Sequence, residues 1–132
     1  MVSGATRRSE QESVAGGERF GVATRQRGDT VVLSLSGELD HDTAEPLRKA
    51  LDQHVRAGAA RILVDCGDLR FCDSTGLNVL LHARLAAQET DGHIELAALR
   101  PPVDRMFEIT GAKAVFKVHA GVDEALADER TT

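Results

Sequence analysis

Tryptophan and tyrosine are absent from the 132 residues, and phenylalanine supplies only four side chains. A chain this poor in aromatics offers no platform on which bases stack. Positive charge is not in excess either. Sixteen basic residues face 21 acidic ones, for a net charge of −5, so the basic field that draws phosphate backbones is missing. Cysteine occurs twice, as Cys66 and Cys72. Two are too few for a disulfide scaffold, and their spacing forms neither a redox pair nor a zinc motif. No apolar run approaches the ~20 residues of a membrane-spanning helix. The two arginines in MVSGATRRSEQE have no apolar stretch behind them of the kind a secretory signal carries. The expectation is a cytoplasmic, reduced protein that binds neither nucleic acid nor membrane.

What is present is an ordinary globular mixture, 42% hydrophobic and 28% charged, at a length typical of one domain. Residues 1–17 are small, polar and without apolar period, which predicts a flexible tail. The folded domain is expected over residues 18–128, with 129–132 as a short C-terminal tail. Phe20 opens a first strand, Gly28 and Asp29 mark a turn, and TVVLSLSGE alternates as a second strand. Val31, Leu33 and Leu35 share one face of it, and Val32, Ser34 and Ser36 the other. Two strands this close in sequence predict an antiparallel hairpin.

Ala44, Leu47, Leu51 and Val55 recur at helical spacing over residues 43–57, with Thr43 as the expected N-cap and Pro46 in the first turn. RILVD at 61–65 reads as a buried strand. A loop follows, then a helix over 74–89 with Leu77, Leu80, Leu81 and Leu85 as its apolar stripe. Further on come a strand at 93–99, a short helix opened by Pro101 and Pro102, a strand at 115–118 and a last helix around Ala125. Strands alternating with helices predict an α/β fold: a mixed, mostly parallel sheet with one antiparallel N-terminal strand, covered by about four helices.

Two strand-to-helix junctions carry the chemistry. The first, DLRFCDSTGLN at 68–78, leaves the carboxyl end of a strand, where sites gather in open α/β sheets. Asp73, Ser74 and Thr75 compete to cap the helix. The helix start also favours an added anion, so a phosphate on Ser74 is electrostatically tolerated there. Gly76 removes bulk from the first turn, which predicts close approach by another chain. The same residues also suffice as a plain cap on a buried helix. The second junction, GELDHDT at 37–43, is expected at the same end of the sheet, bringing Asp40 and Asp42 near Ser74.

Together, GELDHDTAEPLRKAL, RILVDCGDLRFCDSTGLNVLL and PPVDRMFEITG resemble the STAS domain of bacterial anti-sigma factor antagonists. The resemblance covers residues 20–127, with all three motifs in family order. It implies an antagonist whose unphosphorylated form binds an anti-sigma factor with serine kinase activity and so releases a sigma factor. The kinase then modifies the Ser of the D-S-x-G motif, here Ser74, and a serine phosphatase restores the binding form. It also places a functional Asp in the G-E-L-D loop, here Asp40. Thr75 stands where Ser is common and ranks behind Ser74 as a second hydroxyl. The implied partner-binding and switch residues are Asp40, Asp73, Ser74, Thr75 and Gly76. Cys72 stands where an apolar residue is usual, a part that a buried reduced cysteine fills.

Other classes fit less well. G-x-S-x-G is absent, which argues against a nucleophile elbow, and no Walker-type phosphate loop occurs. None of His41, His54, His82, His93 and His119 has an i, i+4 metal-type partner, and only His41 falls near the junctions. No catalytic residue, metal ligand or cofactor is expected. The remaining alternative is a STAS-domain scaffold, or a regulatory subunit in another signalling or transport assembly.

Overall fold

Val31, Leu33 and Leu35 point to one side of their strand and Val32 to the other, and both sides are buried. That alternation organises the molecule as two apolar layers on one sheet. A computed structural model describes residues 12–128. Its strands are β1 (Glu12–Gly16), β2 (Phe20–Arg27), β3 (Thr30–Leu39), β4 (Arg61–Cys72), β5 (His93–Ala97) and β6 (Lys117–His119). Its helices are α1 (Glu45–Arg56), α2 (Ser74–Gln88), α3 (Pro101–Ile109), α4 (Ala112–Val115) and α5 (Val122–Ala127).

The strands lie in sequence order across the sheet. β2 is antiparallel to both neighbours, while β3 to β6 pair in parallel. Among the described strands, β2 alone runs against the rest, which is the mixed α/β arrangement expected.

The larger core packs Leu47, Leu51 and Val55 of α1, Leu77 and Leu80 of α2, and Val103 and Phe107 of α3 onto Val31, Leu33, Ile62, Val64 and Leu96. The smaller core lies on the opposite face, where Ala125 of α5 covers Val32, Leu63 and Ala97. Beside it is a buried polar cluster. Arg61 donates to Glu95 Oε1 from Nε at 3.1 Å and Nη2 at 2.9 Å, and to the Ala125 carbonyl at 2.6 Å. His119 Nε2 lies 2.8 Å from the same Glu95 oxygen. These four residues join β4, β5, β6 and α5.

Several expectations need correction. Residues 12–16 of the expected tail form β1, paired with β2 from Glu12↔Arg25 to Gly16↔Gly21. An edge strand needs only main-chain hydrogen bonds, so small residues suffice. Residues 1–11 and 129–132, assigned to the tails, lie outside the described residues. The predicted loop after Asp65 is largely strand, because β4 continues to Cys72 through two register irregularities opposite Ser36 and Glu38. The cap position of α1 is Ala44, without a side-chain cap, because Thr43 Oγ1 donates instead to the Glu38 carbonyl at 2.8 Å. Leu85 of α2 is 56% exposed. The row Leu77, Leu81, Leu85 rotates by roughly 40° per step and leaves the core, whereas Ala87 is buried.

Candidate functional site

β3 and β4 end together. Their pairing runs to Leu39↔Cys72, and one further bond follows, from Asp73 N–H to the Leu39 carbonyl at 3.1 Å. Both strand-to-helix junctions therefore leave the same rim, as expected from their positions.

Asp73 wins the competition to cap α2. Its Oδ1 accepts the N–H groups of Thr75 at 2.9 Å and Gly76 at 3.1 Å, two of the donors a helix start leaves without an intrahelical partner. Its Oδ2 accepts the main-chain N–H of His41 at 3.3 Å, across from the other junction. Ser74 is the first residue of the helix and exposed. Its hydroxyl makes no hydrogen bond to any described residue, so it takes no part in the cap. Thr75 is half-buried and less accessible.

Gly76 is buried, and its missing side chain serves the protein's own core. A Cβ there would lie 2.5 and 2.7 Å from Leu39 Cγ and Cδ2 and 3.0 Å from Cys72 Sγ. The space expected to admit another chain is filled by Leu39 and Cys72. Cys72 is the small apolar filler expected. Burial, with the neighbouring Asp73 charge, pushes its thiol up to about 12, and burial likewise raises Cys66.

Asp40 organises its own loop. Oδ1 accepts the N–H of Asp42 at 2.9 Å and the N–H of Thr43 at 3.2 Å, and lies 3.1 Å from the Thr43 hydroxyl oxygen. Oδ2 is held by the Arg19 guanidinium. Burial alone would raise the Asp40 pKa. The Arg19 guanidinium, the Asp42 N–H and the Thr43 hydroxyl outweigh it and hold the carboxyl below its ordinary value. No hydrogen bond joins Asp40 to Ser74. The link between the junctions is made by the main chain of His41 and the carboxylate of Asp73. The His41 side chain is exposed.

Two residues at this rim escape the sequence reading. Arg19, in the turn between β1 and β2, carries a guanidinium raised in pKa by its bond to Asp40. Phe71, two residues before Asp73, is 48% exposed. Its exposed ring, three residues before Ser74 and paired in the sheet opposite Glu38, is an apolar contact point at the end of β4. Among the described residues, no group of three or more His, Cys, Asp or Glu side chains is placed to hold a metal. None of the described helices is long and apolar enough to cross a membrane.

The arrangement has relatives. The family described as "Mlab, STAS domain" matches residues 22–118, and the chain belongs to the STAS domain family. An anti-sigma F factor antagonist of Paenibacillus polymyxa is 28% identical over 99 residues, covering 74% of this chain and 85% of the relative. BtrV of Bordetella bronchiseptica, assigned as an anti-sigma factor antagonist, is 31% identical over 101 residues, covering 76% and 87%. The fold is similar to that of the anti-sigma factor antagonist SpoIIAA in its unphosphorylated form. The TM-score is 0.69 at 25% identity, with 92% of this chain and 97% of that one covered.

Proposed function

We propose that this chain is an anti-sigma factor antagonist that works by partner switching in the cytoplasm. Its unphosphorylated form binds an anti-sigma factor with serine kinase activity and frees a sigma factor. Phosphorylation of Ser74 by that kinase ends the interaction, and a serine phosphatase reverses it. The chain is then a substrate and ligand rather than an enzyme. The observation that carries this reading is the exposed, unbonded Ser74 hydroxyl at the first position of a helix already capped by Asp73. The STAS relatives named as antagonists support it.

The electrostatics favour a switch at the surface. Phosphorylation adds about −1.5 to −2 charges at neutral pH. The N–H groups of Thr75 and Gly76 are committed to Asp73, so the new phosphate competes with a carboxylate for them and otherwise stays at the surface. Placed beside Asp73 and near the Asp40 and Asp42 loop, it adds negative charge and bulk to the surface a partner meets, without requiring the domain to unfold. Phe71 supplies the apolar contact that the partner covers before modification.

The test is mass spectrometry of the chain after co-expression with candidate anti-sigma kinases, wild type against Ser74→Ala. The reading predicts one phosphate on the peptide containing Ser74 and none in the variant. A phosphate elsewhere in the chain, unaffected by Ser74→Ala, would contradict it.

A further inference from the structure

Resting on that reading of Ser74, we propose that Arg19 is a positioning residue of the switch: its ion pair with Asp40 holds the loop at residues 40–43 so that His41 N–H engages Asp73, and thereby sets how Ser74 is presented. A continuous set of contacts joins Arg19 to Asp73, beginning with the main chain that delivers Arg19 to the loop.

β1 and β2 pair as far as Gly16↔Gly21, and Gly17 N–H closes the turn on the Phe20 carbonyl at 2.8 Å. Gly16 has φ of +106°, and a Cβ there would lie 2.3 Å from the Phe20 carbonyl oxygen. The Arg19 carbonyl accepts Glu38 N–H at 2.8 Å. Gly37, at φ of +92°, makes room for it, since a Cβ would lie 2.0 Å from that same oxygen. The turn is thus docked onto the G-E-L-D segment through the main chain. Only the Arg19 side chain then has to cross to Asp40.

Each atom of the Asp40 carboxylate has its own task. Oδ1 gathers the Asp42 and Thr43 donors that shape the loop, and Oδ2 takes Arg19. The Asp40 side chain is only 19% exposed with the guanidinium in place. The loop so fixed aims His41 N–H at Asp73 Oδ2, while Asp73 Oδ1 holds the first turn of α2. An ordinary surface ion pair contributes little to anything. This one stands at the start of a path that ends one residue from Ser74, and it gives β1 a purpose: bracing the turn that carries Arg19.

Adjacency along a path does not by itself demonstrate coupling, so the experiment measures coupling directly. Amide hydrogen exchange is followed on the full chain as wild type, Arg19→Ala, Arg19→Lys, Asp40→Asn and the double variant Arg19→Ala/Asp40→Asn. Arg19→Ala is expected to speed exchange of the His41 and Gly76 amides while leaving Leu63 and Val64 in the sheet centre unchanged. Arg19→Lys should restore most of the protection. The double variant should be no worse than Asp40→Asn alone, the non-additivity of residues acting through each other.

The second readout is phosphorylation by whichever anti-sigma kinase modifies wild-type Ser74. A fall of about tenfold in kcat/KM, mostly in kcat, is expected for Arg19→Ala, as for a displaced reacting group, with Arg19→Lys close to wild type. Unchanged His41 exchange in Arg19→Ala overturns the proposal, whatever the partner. Faster exchange with an unchanged phosphorylation rate overturns its link to Ser74. Failure of wild-type Ser74 to be modified by any kinase tested counts against the switch itself, and the exchange result still decides whether Arg19 positions the loop.

Discussion

The main-chain N–H of His41 bonds the carboxylate of Asp73 at 3.3 Å, across 32 positions of sequence. That bond closes the rim of the sheet, since Asp73 is at once the cap of α2 and the receiver of the neighbouring loop. A single carboxylate therefore fixes both the helix that carries Ser74 and the loop that carries Asp40.

Removing that carboxylate should cost more than an ordinary surface substitution. Asp73→Ala is expected to lower stability by about 1 kcal/mol from the lost cap, with Asp73→Asn losing less because its amide oxygen still accepts. Urea denaturation of the two variants checks this. An Ala variant as stable as wild type would mean that the cap contributes nothing.

Ser74→Ala should be nearly silent in stability, within about 0.5 kcal/mol of wild type. The hydroxyl neither caps the helix nor bonds a described neighbour, so only its chemistry is lost. The expected pattern is an unchanged denaturation midpoint together with loss of phosphorylation. A loss comparable to that of Asp73→Ala would show that Ser74 shares the capping task.

Gly76 gives the opposite expectation. Its Cβ position is occupied by Leu39 and Cys72, so Gly76→Ala should destabilise by roughly 1–3 kcal/mol through overpacking. Trimming the obstacle, in Gly76→Ala/Leu39→Ala, should cost less than the sum of the two single changes. Strict additivity of the two losses would argue that the glycine is needed for something other than core space.

Acid should weaken the fold through Glu95. Burial would raise its pKa, but His119 and Arg61 outweigh burial and hold it below the ordinary 4.5. A carboxyl with a depressed folded pKa contributes stability above its unfolded pKa and loses it as pH falls through the folded one. Glu95→Gln should therefore be less stable than wild type at neutral pH, with the gap closing as pH drops below about 4.5. Thermal melting across pH measures it. A gap that stays constant would remove Glu95 from the acid response.

Much of this was legible in the sequence where the signal is local. Alternation in TVVLSLSGE, the apolar spacing of α1 and the run RILV report burial directly, because each residue's face follows from its own position. D-S-T-G was legible as a helix start for the same reason. What was not legible depends on partners distant in the chain. β1 has no apolar period, and its order comes from main-chain bonds to β2. The far half of β4 is polar enough to read as loop and is strand only because β3 runs alongside it. Arg19 sits 21 residues from Asp40, and only the hairpin brings them together. Assigning closeness to another chain as the purpose of Gly76 failed because the position of Leu39 across the sheet cannot be seen from the motif.

The most direct test of the account is a binding titration of the chain against its anti-sigma partner, comparing the unphosphorylated chain, the chain phosphorylated at Ser74, and Ser74→Ala. The account predicts that the unphosphorylated chain and Ser74→Ala bind alike, while phosphorylation weakens binding by more than tenfold, about 1.4 kcal/mol. Equal affinity of the phosphorylated and unphosphorylated chains would contradict it.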